Sequence, residues 1–165
     1  MPITMNDLTV NFKHLDRDNL LADWHWLIGP ARLPILLPSI GNAFVQDTGD
    51  GSVYLLDVGA AEVIPVADDF ENFQKLLDDN AFVMNLFAVK MVVSLREAGL
   101  ALQPGQIYSF KRPPILGGEY ALENVEATDI EVHFSILGQL TQQVKPLPPG
   151  ILITGVSISE PRPES

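Results

Sequence analysis

The chain has 165 residues, 47% of them hydrophobic and 19% charged, which is enough for one globular domain with its own core and lies outside the compositional range of disorder. Twenty-one acidic residues against ten basic ones give a formal net charge of -11, which disfavours contact with nucleic acid and favours encounter with a basic partner. With no cysteine, disulfides, thiolate zinc sites and cysteine nucleophiles are excluded, in keeping with a reducing compartment.

The first ten residues, MPITMNDLTV, have neither a basic nor an apolar leader region, and no apolar run reaches the roughly 18 residues of a membrane span. A cytoplasmic protein without membrane contact is expected. Residues 7–15 alternate loosely and read as an edge strand or extended lead-in. Asp16 and Asp18 then offer N-caps for an amphipathic helix over 17–28 that ends at Gly29-Pro30. On that helix Trp24 faces the core, whereas Trp26, two positions on, points elsewhere and is available to anchor an interface.

Residues 33–38 are apolar but hold Pro34 and Pro38, so they are expected as extended edge chain rather than a central strand. A three-strand antiparallel meander follows over 43–47, 52–57 and 62–66, with glycine-marked turns at 48–51 and 58–61. Asp68 and Asp69 can cap a helix over 69–78. After Asn80 an almost wholly apolar helical pattern runs through Leu102 and is expected to be one long, largely buried helix.

The densest punctuation lies in residues 107–150. A short strand over 107–110 leads into a loop stiffened by Pro113, Pro114, Gly117 and Gly118, and a proline-rich stop closes the stretch. Between them, apolar residues recur both at steps of three and four and at steps of two. A helix over 127–144 is favoured because the segment is long for a strand and ends in Lys145 before prolines, while its β-branched content keeps a strand open. Residues 151–158 alternate as a last strand would, and residues 159–165 read as a flexible tail.

The run YSFKRPPILGGEY at 108–120, followed by ENVE at 123–126 and VHFSILGQL at 132–140, resembles the C-terminal domain family of type VI secretion immunity proteins. The similarity extends more loosely over 20–150, through IGNAF at 40–44, DGSVYLLD at 50–57 and VADDFENF at 66–73; Asn42 departs from the Gly-Asp of that family's pattern. The resemblance implies a cytoplasmic protein that binds and neutralises a cognate protein toxin, often a nuclease, and it implies no catalytic residues and no cofactor. Within the motif, Pro113, Pro114, Gly117, Gly118, Asn124 and His133 form its structural signature.

Independent chemical motifs are sparse. The three histidines, His14, His25 and His133, have no spacing that puts two imidazoles around a metal. There is no GxSxG elbow or SxxK pair for Ser109 or Ser135, and no phosphate-loop lysine follows Gly117-Gly118. Asp68-Asp69 and Asp78-Asp79 fit helix capping better than cation binding. No metal or cofactor site is therefore expected, and His133 reads as a hydrogen-bonded packing residue.

The expected fold is a single α+β domain over 1–158, an antiparallel sheet around the three-strand meander packed by three to four helices. Its expected role is non-enzymatic toxin neutralisation. The partner-binding candidates are the residues flanking the turns and the signature loop: Asp47, Asp50, Asp57, Glu62, Lys111, Arg112, Glu119 and Glu123. A module binding a small molecule is the alternative and needs a deep apolar cavity; a hydrolase needs a shifted His133 beside Ser135 or Glu119 in a cleft.

Overall fold

The computed structural model describes residues 3–146 together with 155, 158 and 159, so the expected strand over 151–158 and the tail lie largely outside the described residues. The expected α+β class is what is found. Five antiparallel strands run in sequence order across one sheet: β1 (Thr9–Val10), β2 (Arg32–Pro38), β3 (Ala43–Asp47), β4 (Val53–Asp57) and β5 (Glu62–Ala67). Two further strands, β6 (Gln106–Phe110) and β7 (Val125–Asp129), form a separate antiparallel ladder. The helices are α1 (Met5–Leu8), α2 (His25–Ile28), α3 (Phe70–Leu76), α4 (Asn80–Leu86), α5 (Val89–Glu97) and α6 (Ile130–Val144).

The period-two alternation of the meander buries both faces of the sheet. Ala43, Val45 and Leu56 face one cluster with Trp24, Phe134 and Leu137. Phe44, Val53 and Leu55 face a second with Phe73, Phe87, Val92 and Leu95. The sheet is thus sandwiched, with α6 and the segment around Trp24 on one side and the α3 to α5 helices on the other.

Four expectations need correction. Residues 33–38 form an interior strand, because β2 pairs with β1 on one side and β3 on the other. Pro34 is tolerated because β1 pairs only with Leu37 and Pro38, which leaves the edge away from β3 locally open at Pro34, where Arg17 Nε donates to the Pro34 carbonyl at 2.7 Å; Pro38 ends the strand. The helix expected over 17–28 is mostly turns, followed by a 3-10 turn at Ala22–Trp24 and α2. Asp16 caps only a single turn, its side chain accepting from Asp18 N and the Asn19 side-chain amide and its carbonyl from Leu20 N.

That broken path also brings the two tryptophans to the same partner. Their rings stack with centroids 5.9 Å apart, and Trp24 Nε1 and Trp26 Nε1 donate to the Phe134 and Gly138 carbonyls of α6. Trp26 stays half-buried, as expected, but its ring does not diverge from Trp24, and its indole N–H is taken by α6.

The long helix is two helices, α4 and α5, broken at Phe87-Ala88, where Ala88 takes a left-handed conformation with φ 49°. In one straight helix Phe87 and Val92 would point about 140° apart. The break lets both enter the same core, Phe87 packing against Phe44 at 5.5 Å between centroids. The consequence is that α4 buries none of its residues fully and leaves Met84 43% exposed. Finally, α6 resolves the competing periods: residues 130–144 are helical, and 127–129 belong to β7, with Asp129 capping the helix by accepting from Val132 N at 3.1 Å.

Candidate functional site

The signature loop is built around one side chain. Asn124 Oδ1 accepts from Arg112 N at 2.9 Å, while its Nδ2 donates to the Arg112 carbonyl at 2.9 Å and the Glu119 carbonyl at 2.8 Å. Two carbonyls against Nδ2 and one N–H against Oδ1 fix the amide's orientation. Lys111 N adds a bond to the Asn124 carbonyl, and Arg112 Nε donates to the Leu116 carbonyl. Pro114 opens a 3-10 turn at Pro114–Leu116, and the Pro113 carbonyl accepts from both Leu116 N and Gly118 N. At Gly118 the backbone comes so close that a Cβ would lie 1.7 Å from the Arg112 carbonyl oxygen, so only glycine closes this loop.

His133 performs a similar service one layer below. Its Nε2 donates to the Gly41 carbonyl at 2.7 Å, which leaves Nδ1 to accept from the Ser109 hydroxyl at 2.7 Å. The ring is 3% exposed, and burial pulls its pKa from 6.5 to about 4, so it is neutral at physiological pH. It ties α6 to β6 and to the turn between β2 and β3. Ser109 is buried with it. The partner is Ser109, not Ser135, which instead donates to Asp23 at 2.7 Å.

The eight partner-binding candidates fall into separate groups. Asp47 and Asp50 sit at the turn between β3 and β4, where their carboxylates are engaged locally. Asp47 accepts from Gly49 N and Asp50 N and pairs with Arg32 at 3.5 Å, and Arg32 in turn stacks 3.8 Å from the centre of the Tyr54 ring. Asp50 accepts from the hydroxyl and N–H of Ser52, which hold its pKa below the usual carboxylate range. Asp57 and Glu62 lie at the other end of β4, roughly 14 Å away along a strand of this length. Lys111, Arg112, Glu119 and Glu123 are exposed on the signature loop.

The structure brings the second carboxylate group up to that loop through a residue the sequence reading used only as the end of a motif. Tyr120 is 62% exposed, and its ring stands edge-on against Phe110 with centroids 5.2 Å apart. Its hydroxyl lies 3.2 Å from where a Cβ on Gly59 would be, over the turn between β4 and β5. Partial burial, then Asp57, then Glu62 push the phenol pKa up. An aromatic residue placed directly after a rigid loop is the signal that could have found it.

Two open clefts of about 490 Å³ each lie elsewhere. One runs between β4, β5 and α3 past Tyr54, Asn72 and Lys75; the other passes Asp7, His14, Arg96 and Gln103. Neither touches His133, Ser109 or the signature loop. Among the described residues no three His, Asp or Glu side chains are grouped to hold a metal, and no helix is long and apolar enough to cross a membrane.

No curated protein matches the chain. Among solved structures, the crystal structure of Atu4351 from Agrobacterium tumefaciens is similar, with 20% identity and a TM-score of 0.53. The match covers 74% of this chain and 62% of that one, so the chain spans less than two thirds of that protein's length. At this identity the likeness concerns the fold. The resemblance read from the motif is borne out by the family comparison: residues 67–141, which contain the signature loop, β7 and most of α6, match the family described as T6SS immunity protein Tdi1, C-terminal.

Proposed function

We propose that this protein neutralises a cognate protein toxin in the cytoplasm by binding it, with no bond made or broken in the process. The observation that carries this reading is the match of residues 67–141 to an immunity-protein family, over the stretch that builds the signature loop. The charge of -11 supports a basic toxin surface, such as the substrate cleft of a nuclease, as the thing covered. The Ser109–His133 contact is buried and lies outside both clefts described above, which supports a structural role for it. The clefts, open and bordered by polar and charged side chains, give a small-molecule module little support.

The test is co-expression in a sensitive host of this protein with the product of the adjacent gene. Survival together with co-purification supports the reading. Toxicity that this chain does not relieve, or no toxicity and no complex, overturns it for that pair.

A further inference from the structure

We infer that the toxin docks on the surface centred on Tyr120, where the signature loop meets the β4–β5 turn, and that the docked surface is a basic face presenting arginine or lysine. This rests on the immunity reading above and names the part of the molecule that would carry it.

Three observations converge on this place. The first is exposure: at 62% Tyr120 is the most exposed large hydrophobic side chain among the described residues, ahead of Phe70 and Met84 at 45% and 43%. Tyrosine is enriched among the residues that dominate interface energy, because a large ring with few rotatable bonds is combined with a polar tip. The second is preorganisation. The loop before Tyr120 is held by Asn124 through the Arg112 and Glu119 backbones, and the ring itself is propped edge-on against Phe110. An aromatic group already fixed in its bound position loses little freedom when a partner covers it.

The third is charge. Glu119 precedes Tyr120, and the half-buried Asp57 and exposed Glu62, paired in register at the end of the β4–β5 hairpin, approach the phenol closely enough to influence it. Two of the nearby cations are turned to the chain's own backbone, Arg112 donating to the Leu116 carbonyl and Lys145 to the Ala61 carbonyl, while Lys111 is exposed on the loop. A ring edged by carboxylates suits a guanidinium or ammonium lying over its face. Asp57 also accepts from Ala60 N of its own turn at 3.1 Å, but it lies at the Tyr120 end of the hairpin, whereas Asp47 and Asp50 sit at the opposite end and Asp47 pairs with Arg32. The interface is therefore centred on Tyr120, takes Asp57, Glu62 and Glu119 from the acidic candidates with Glu123 exposed on the same loop, and leaves the opposite end of the hairpin out.

The probe is the purified product of the adjacent gene, titrated against wild type and variants at low and moderate salt. Tyr120→Ala is expected to weaken binding by about 30-fold or more, as truncation of a central anchor does. Asp57→Asn with Glu62→Gln is expected to weaken it about tenfold, mainly in the association rate, and to flatten its salt dependence. The matched pair Asp78→Asn with Glu97→Gln changes the same charge on α3 and α5 flanks and is expected to stay within about threefold of wild type. Unchanged melting temperatures separate lost binding from lost folding. Variants at Tyr120, Asp57 and Glu62 that bind like wild type overturn this inference while leaving the immunity reading standing. A wild-type chain that does not bind the probe overturns both.

Discussion

The tautomer and burial of His133 give a stability signature that pH alone reveals. In the folded chain the ring is neutral with a pKa near 4, whereas in the unfolded chain it titrates near 6.5. Between these values the unfolded state holds a proton that the folded state refuses, so stability rises with pH there. The contribution is fully present above about 6.5, falls as the pH drops, and levels off below about 4. The ceiling is about 3 kcal/mol, and the share lost between pH 8 and pH 5 is about 2 kcal/mol. Against a typical domain stability of about 5–15 kcal/mol that is a large fraction. Asp7 and Asp50, the carboxylates held below their usual range, lose their contributions below pH 4 and do not confuse this window.

Urea melts at pH 8, 6.5, 5.5 and 5 read the effect directly, with His133→Gln as the variant that removes the titration. Should that variant not fold, imidazole nitrogen NMR shifts of the wild type carry the same information, with Nε2 protonated and Nδ1 bare throughout. A wild type that loses less than about 0.5 kcal/mol by pH 5, or a ring that titrates near 6.5, refutes the argument that burial between Gly41 and Ser109 holds His133 neutral.

Two further substitutions probe the frame of the molecule. Asn124→Asp keeps the acceptor for Arg112 N but turns both donated bonds into a carboxylate facing the Arg112 and Glu119 carbonyls; a loss of about 1–3 kcal/mol is expected, with amide exchange in 111–124 rising first, and an unchanged urea midpoint would contradict the assigned role. Gly138→Ala should gain up to about 1 kcal/mol in helix propensity, yet its Cβ would meet the Asp23 backbone at 2.6 Å, so a net loss of about 1–3 kcal/mol is expected with a shift in tryptophan fluorescence, since Trp26 bonds to the Gly138 carbonyl; a raised melting temperature would show that the contact relaxes freely.

The meander, the Asp69-capped helix and the existence of α6 were legible because several local signals agree there. Alternation, turn glycines and caps all point one way between residues 43 and 76. Where the reading went astray, a tertiary contact outweighed a local rule. Prolines argue against an interior strand, but β1 is too short to demand the N–H that Pro34 lacks. Uniform apolar character argues for one long helix, but the need to deliver Phe87 and Val92 to one core breaks it at Ala88. Helical spacing turns Trp26 away from Trp24, but turns and a 3-10 segment replace the continuous helix on which that spacing depends, and the two rings stack. The candidate site divides in the same way. Carboxylates beside turns are visible in the sequence, yet only the fold shows which end of the β3–β4–β5 meander lies beside Tyr120.

That division bears on how a motif such as YSFKRPPILGGEY can mark a family without marking its contacts. Gly118, Asn124 and His133 each engage backbone carbonyls of their own chain. Their identities are set by geometry. Glu119, Tyr120 and Glu123 ride on that frame with their side chains outward, and exchanging them alters no bond that holds the loop. A frame fixed by backbone hydrogen bonds can therefore present different side chains at an unchanged position and angle. On the toxin-binding function proposed above, such a separation lets specificity change by exposed substitutions while stability stays with the buried ones.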